Sequence, residues 1–138
     1  MITSEASQIL KFTDLKTWQE SHKIILEIYI KTRKFPRDEI FGLTSQMRRA
    51  AVSITSNIAE GFGRHTFKDK IHFYYQARGS MTELRNQLIL ARDISYMSES
   101  EYIDMDNQID IAQRLLHGLI SKTTSRLHNN DNMTVSVY

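Results

Sequence analysis

Helix-breaking residues are rare along this chain. Its 138 residues include one proline, Pro36, and five glycines. Proline interrupts a helix because it lacks a backbone donor, and glycine is a poor helix former. Between these few breakers, apolar residues recur at intervals of three and four over long segments, which is the period of an amphipathic helix. The chain is therefore predicted to be all-α.

Four helical segments follow from this pattern. They run from about Asp14 to Lys34, from Leu43 or Thr44 to Gly61, from Phe67 to Tyr96, and from Ser98 to Leu127. Thr13 or Asp14 can cap the first helix, and Ser98 with Glu101 has the spacing of a capping box. Pro36 separates the first two helices because it disfavours a helical conformation at Phe35.

The spacing also predicts a core stripe on each helix. On the first helix the stripe is Leu15, Trp18, His22, Ile25 and Tyr29, widened by Ile24 and Ile28. On the second helix it is Met47, Ala50, Ala51, Ile54 and Ile58. The third helix has Phe67, Ile71, Tyr74, Ala77, Met81, Leu84, Leu88 and Ala91, and the fourth has Tyr102, Met105, Ile109, Ala112, Leu116 and Leu119. Short connections between such helices predict an antiparallel up-down four-helix bundle at residues 14–127. Residues 1–13 are then an N-terminal extension, and residues 128–138 are a polar C-terminal tail.

Several classes of site are disfavoured by the residues present. Cysteine is absent, which excludes disulfides and thiolate chemistry. No G-x-S-x-G segment occurs, and none of the five histidines completes the Glu-x-x-His pair of a di-iron bundle. We therefore expect no catalytic residue, metal, cofactor or small-molecule substrate. No apolar segment is long enough for a signal peptide or a membrane span, which predicts a cytoplasmic protein that does not enter a membrane.

Charge is distributed unevenly although the whole chain carries a net charge of only +2. Residues 64–92 contain six Lys or Arg against two acidic residues, whereas residues 98–126 contain five acidic residues against three basic ones. This asymmetry indicates either charge pairing between helices or a basic face offered to a polyanion.

Three arginines of the third helix, Arg78, Arg85 and Arg92, are spaced seven residues apart. Seven residues drift only about 20° around a helix, so the three form one stripe. Such a stripe suits phosphate contacts or a subunit interface, and ordinary solvated arginines are the alternative. Arg48 and Arg49 form a second basic pair, ranked below the stripe.

The stretch from Arg48 to Arg64, RRAAVSITSNIAEGFGR, carries much polar material for a core helix. Ser53 and Ser56 are small enough to let a neighbouring helix approach closely, and Asn57 and Glu60 are expected to bond near a helix terminus. Glu60 and Arg64 have the i, i+4 order that favours an ion pair. Gly61 suits a left-handed helix end. A packing role and a ligand- or partner-binding role both remain open for these residues.

Three segments carry a resemblance to a known family. LKTWQ at 15–19, FPRDEIFGLTSQMRRAAVSITSNIAEGFGR at 35–64 and ARGSMTELRNQL at 77–88 resemble the bacterial four-helix bundle family that includes proteins encoded in intervening sequences of large-subunit ribosomal RNA genes. The resemblance covers about residues 12–122. Thr55 stands where the family often has proline.

The resemblance implies an antiparallel bundle that assembles as a ring-shaped homopentamer, without a catalytic residue to carry over. A related branch comprises the accessory variability proteins of diversity-generating retroelements, which work with a reverse transcriptase and its template RNA. The resemblance therefore favours RNA or a reverse transcriptase as partner. The basic residues of this chain that are candidate contacts are Arg78, Arg85, Arg92, Arg48, Arg49 and Arg64. A structural homo-oligomer without nucleic-acid binding is the alternative.

Overall fold

The computed structural model describes residues 8–129. Its helices are α1 at Lys16–Thr32, α2 at Leu43–Gly63, α3 at Phe67–Asp93 and α4 at Glu99–His128, and short 3-10 turns lie at Phe12–Asp14 and Arg37–Glu39. Each helix packs against the next, and α4 returns to contact α1. Within these residues there is no strand, so the predicted all-α four-helix bundle is confirmed.

The core lies along the stripes predicted for α2, α3 and α4. All five predicted α2 residues, from Met47 to Ile58, are fully buried. On α3 and α4 the stripes are buried except at their first residues, Phe67, Ile71 and Tyr102, which are partly exposed. Apolar spacing alone is therefore sufficient to locate most of the core.

The stripe predicted for α1 is partly wrong. Ile24 and Ile28 are fully buried, whereas Tyr29 is exposed and His22 is half-buried, stacked on Trp18 with ring centroids 4.7 Å apart. Since Ile24 and Ile28 pack inside the bundle, they are not available for contacts between copies of the chain. The exposed apolar side chains of α1 are instead Leu26 and Ile30, together with Tyr29.

Helix ends agree with the prediction to within a few residues. Ser98 and Glu101 form the predicted capping box at the start of α4, and the Thr66 hydroxyl accepts a hydrogen bond from the Asp69 backbone N–H at the start of α3. Asp14 does not cap α1, because its carboxylate accepts from the N–H groups of Leu10 and Lys11 in the preceding turn.

Gly61 is not a left-handed helix end as predicted. It lies inside α2, which continues to Gly63, and no glycine among residues 8–129 has a positive φ. A Cβ at Gly61 would lie 2.7 Å from the ring of Tyr74 and 3.1 Å from Cβ of Phe73. Glycine is therefore present because α2 and α3 approach each other closely here. The left-handed residue of the bundle is Ser95, with φ 68°, directly after α3, and α3 thus ends before the predicted Tyr96.

The start of α2 is held by a carboxylate outside the helix. Gly42 is the N-cap residue and has no side chain to offer, but the Glu39 carboxylate accepts from the Leu43 N–H at 3.0 Å. The other oxygen of Glu39 accepts from the Tyr96 hydroxyl at 2.8 Å. These hydrogen bonds, the Leu43 contact first, hold the pKa of Glu39 below its usual 4.5. Glu39 thereby ties the α1–α2 connection to the segment that follows α3.

The contact at Gly61 predicts opposite effects for two glycine substitutions. Gly61→Ala should lower the free energy of unfolding by about 1–3 kcal/mol, because the buried Tyr74 ring has no room to retreat. Gly79→Ala on α3 is the matched control, since a Cβ there meets nothing within 4 Å. That change should raise stability by up to about 1 kcal/mol through helix propensity. Urea denaturation of both variants measures the difference, and equal stability would contradict the close approach.

The lowered pKa of Glu39 predicts a pH-dependent contribution to stability. A carboxyl whose pKa is lower in the folded state stabilises fully above its unfolded value, and the contribution is lost as pH falls through the folded value. Glu39→Gln should therefore lower the melting temperature at pH 7, and the difference from wild type should shrink as pH falls below about 4.5. Asp38→Asn, at the exposed neighbouring carboxylate, should follow wild type across this range. A Glu39→Gln deficit that persists unchanged at pH 3 would contradict the assignment.

Candidate nucleic-acid and partner interface

The polar residues of α2 divide into two groups. The Ser53 hydroxyl accepts from the Ser80 hydroxyl of α3 at 2.9 Å and from the Asn57 amide at 3.1 Å. Asn57 also donates to the Ser53 carbonyl, so it bonds within its own helix and not at a helix terminus as expected. Ser56 is exposed, and the expectation that it packs against a neighbouring helix is incorrect for this chain. Ser53 therefore joins α2 to α3, while Ser56 belongs to the surface.

The Glu60–Arg64 pair has the geometry that its spacing predicts. The two side chains are 2.7 Å apart, and the Arg64 guanidinium also lies over the Phe73 ring at 4.6 Å from its centroid. Arg64 is the C-cap residue of α2. Its charge is thus already used to hold the end of α2 against α3.

The three arginines of the α3 stripe are not equivalent. Arg85 is enclosed by α4, where it contacts Asp106, lies 2.7 Å from Asp110 and donates to Gln113 at 3.0 Å. The Arg85 side chain is 25% exposed. At this position the basic α3 and the acidic α4 therefore pair with each other within one subunit.

Arg92 and Arg78 lie on either side of this enclosed residue. Arg92 pairs with Asp93 at 3.0 Å and lies over the Tyr102 ring of α4. Arg78 is exposed and lies over the Tyr75 ring at 4.6 Å, and it has no ion pair within residues 8–129. Of the stripe, Arg78 is the residue whose charge faces solvent.

A groove lies between α1 and α2. We call it the α1–α2 groove; it is formed by Tyr29 of α1, by Ile40 and Phe41 of the connection, and by seven residues of α2: Thr44, Ser45, Arg48, Arg49, Val52, Ser53 and Ser56. It is open to solvent, with a volume of about 710 Å³. Among the described residues that line it, the charged ones are Arg48 and Arg49.

The two arginines of the groove are held differently. Arg48 donates from Nε to the Thr32 hydroxyl at 2.9 Å, and its guanidinium lies over the Tyr29 ring at 4.7 Å. Arg49 contacts Gln46 at 2.5 Å and Glu83 of α3 at 3.3 Å, and most of its side chain is exposed. Neither arginine of this pair, which ranked second by sequence, is enclosed by carboxylates as Arg85 is.

Sequence patterns did not single out the aromatic residues of this groove. Helical spacing assigns Tyr29 to the core stripe, and Phe41 lies outside every helical stripe. Phe41 is 92% exposed in the connection before α2. Helical spacing offers no signal that separates Phe41 from Phe35, which also lies outside the stripes but is buried.

Residues 8–129 contain no cluster of three or more potential metal ligands. None of their helices combines the length and the apolar character needed to cross a bilayer. Burial shifts the pKa of two residues in α3. It lowers the pKa of Lys70, whose ammonium group donates to the Phe62 carbonyl, and it raises the pKa of Tyr74 to about 12.

Comparison with known proteins places this bundle in a family. One similar solved structure is that of a protein with unknown function from the S23 ribosomal protein family of Bacteroides thetaiotaomicron VPI-5482, with a TM-score of 0.69 and 21% sequence identity, covering 75% of this chain and 97% of that one. At this identity the likeness shows the fold alone. No curated protein matches the chain. The model of the 23S rRNA-intervening sequence protein family matches residues 13–118, and the chain therefore belongs to that family.

Proposed function

We propose that this protein is a non-enzymatic, homo-oligomeric accessory protein that binds RNA through the basic surface of α2 and the adjoining part of α3. The observation that carries the proposal is that the arginines differ in whether carboxylates neutralise their charge. Arg85 is enclosed by carboxylates of its own subunit, whereas Arg48 and Arg78 lie over aromatic rings and most of the Arg49 side chain is exposed. Exposed cations next to aromatic side chains are the combination that single-stranded nucleic acid requires.

The carboxylates of α4 support this choice of surface. Asp106 and Asp110 lie beside Arg85, so that a polyanion approaching the middle of the α3 stripe would meet negative charge. Around Arg48 the nearest groups are a hydroxyl and an aromatic ring, and Arg49 has one carboxylate within 4 Å, that of Glu83. RNA binding is therefore assigned to the exposed face of α2, and Arg78 of α3 extends this surface. A reverse transcriptase is the protein partner proposed for the same complex.

Assembly is supported by apolar side chains that remain exposed on the single subunit. Leu26 and Ile30 lie one turn apart on α1, and Ile103 and Ile111 lie two turns apart on α4. All four are between 45% and 51% exposed. Neighbouring helices that each present an apolar row suit contacts between copies of the chain.

Salt dependence of RNA binding tests the assignment of the arginines. Each phosphate neutralised by a cation contributes about −0.7 to the slope of log K against log salt for single strands. The double variant Arg48→Gln/Arg49→Gln should weaken binding and flatten that slope by up to about 1.4, and Arg78→Gln by up to about 0.7. Fluorescence anisotropy with a labelled RNA at 50–300 mM salt, about the range where such contacts dominate, measures both quantities.

Arg85→Gln is the matched control for these variants. It should leave the salt slope unchanged and lower the melting temperature, because Asp106 and Asp110 lose their shared cation. A wild-type protein without salt-dependent RNA affinity would contradict the proposed function. A slope that falls only with Arg85→Gln would move the RNA to the α3 stripe.

The molar mass in solution tests the assembly. Light scattering coupled to size-exclusion chromatography should give about five chain masses for wild type at micromolar concentration. Leu26→Glu/Ile30→Glu should reduce that mass, because both side chains are exposed on one face of α1 and their charges would have to be desolvated at an interface. A stable wild-type monomer would contradict the oligomer, and a dimer would exclude the ring.

A further inference from the structure

Phe41 is an aromatic side chain held out of the core on an anchored segment. Its ring is 92% exposed, although burying a phenylalanine is worth about 1.5–3 kcal/mol. The connection that carries it is not loose: Glu39 bonds both to the first N–H of α2 and to Tyr96, and the Gly42 N–H donates to the Glu39 carbonyl at 2.8 Å. The backbone that carries Phe41 is therefore anchored at the end of the α1–α2 groove.

Arg48 supplies a second flat surface in the same groove. One face of its guanidinium covers the Tyr29 ring, and Nε is bonded to Thr32. Within residues 8–129, its terminal nitrogens have no hydrogen-bond partner. A guanidinium plane stacks on nucleobases as aromatic rings do, and its terminal N–H groups bind phosphate.

Hydroxyl groups complete the lining. Ser45 and Ser56 are exposed on the same side of α2 as Arg49, about 11 residues apart and therefore roughly 16 Å along the helix. Serine hydroxyls bind phosphate and sugar oxygens, and the ribose 2′-hydroxyl is both donor and acceptor. The polar character of this α2 face is thus explained by the groove and not by the core.

We infer that the α1–α2 groove binds unpaired nucleotides of RNA, with one base stacked on Phe41 and the adjoining phosphates next to Arg48 and Arg49. The inference rests on the proposed RNA-binding function and specifies its substrate as single-stranded. In a duplex the bases are already stacked on one another, and their faces are closed to a protein side chain. Unpaired nucleotides offer both the base face that Phe41 needs and the phosphates that the arginines need.

Substitution of Phe41 separates stacking from charge. A labelled single-stranded oligouridylate and a duplex RNA of equal length are titrated with wild type, Phe41→Ala and Phe41→Tyr. Loss of a stacked base weakens binding by about 5- to 150-fold, so Phe41→Ala should lose single-strand affinity by a factor in that range. Its salt slope and its duplex affinity should be unchanged, and Phe41→Tyr should bind as wild type does. Because the ring is almost fully exposed, the melting temperature of Phe41→Ala should also be that of wild type.

Leu90→Ala is the matched control, an exposed apolar residue of α3 outside the groove, and should bind as wild type does. Wild-type single-strand affinity in Phe41→Ala would overturn the inference while leaving the RNA-binding function standing if the salt dependence remains. Absence of any RNA binding by wild type would remove both. A drop in the molar mass of Phe41→Ala, measured by light scattering, would also overturn the inference, because the groove would then be occupied by a second copy of the chain.

Discussion

The close approach of α2 to α3 is the constraint on which the arrangement of this bundle depends. At Gly61 the two helices leave no room for a methyl group beside Tyr74, and a stripe of small and medium side chains continues that contact along α2. With one face committed in this way, the rotation of α2 about its axis is determined. Its opposite face, with Arg48, Arg49 and Ser56, must then lie at the surface beside α1. The position of the candidate site is a consequence of core packing.

Spacing along the chain was sufficient for the helices and for most of the core, because burial of a periodic stripe is decided by residues close in sequence. It failed on α1, where Tyr29 and Ile28 are adjacent and both compatible with an apolar stripe. The choice between them depends on how far α1 is rotated against α2 and α4, which local spacing does not contain. Gly61 illustrates the same limit, since a glycine near a helix end has two explanations and only the distance to Tyr74 distinguishes them.

The sequence predicted that arginines form the candidate site, but it did not show which of them are available to a ligand. Three arginines spaced by seven are equivalent on a helical wheel, yet Arg85 meets Asp106 and Asp110 while Arg78 meets none of the α4 carboxylates. That difference arises from the register between α3 and α4, set by core side chains distant from the arginines. Phe41 lay beyond sequence reasoning for another reason: a residue in a connection belongs to no period, and its exposure is known only once the connection has a path.

The contacts that hold Arg48 have a consequence for the thermodynamics of any ligand at the groove. A free arginine side chain carries about 2 kcal/mol of rotamer entropy, and ordering it at a binding surface opposes association by about 0.5–1.5 kcal/mol. Here the contacts with Thr32 and Tyr29 restrict the Arg48 side chain in the folded protein, so most of that rotamer freedom is lost before a ligand binds. The entropy change that opposes binding is correspondingly smaller at Arg48 than it would be for an arginine without such contacts.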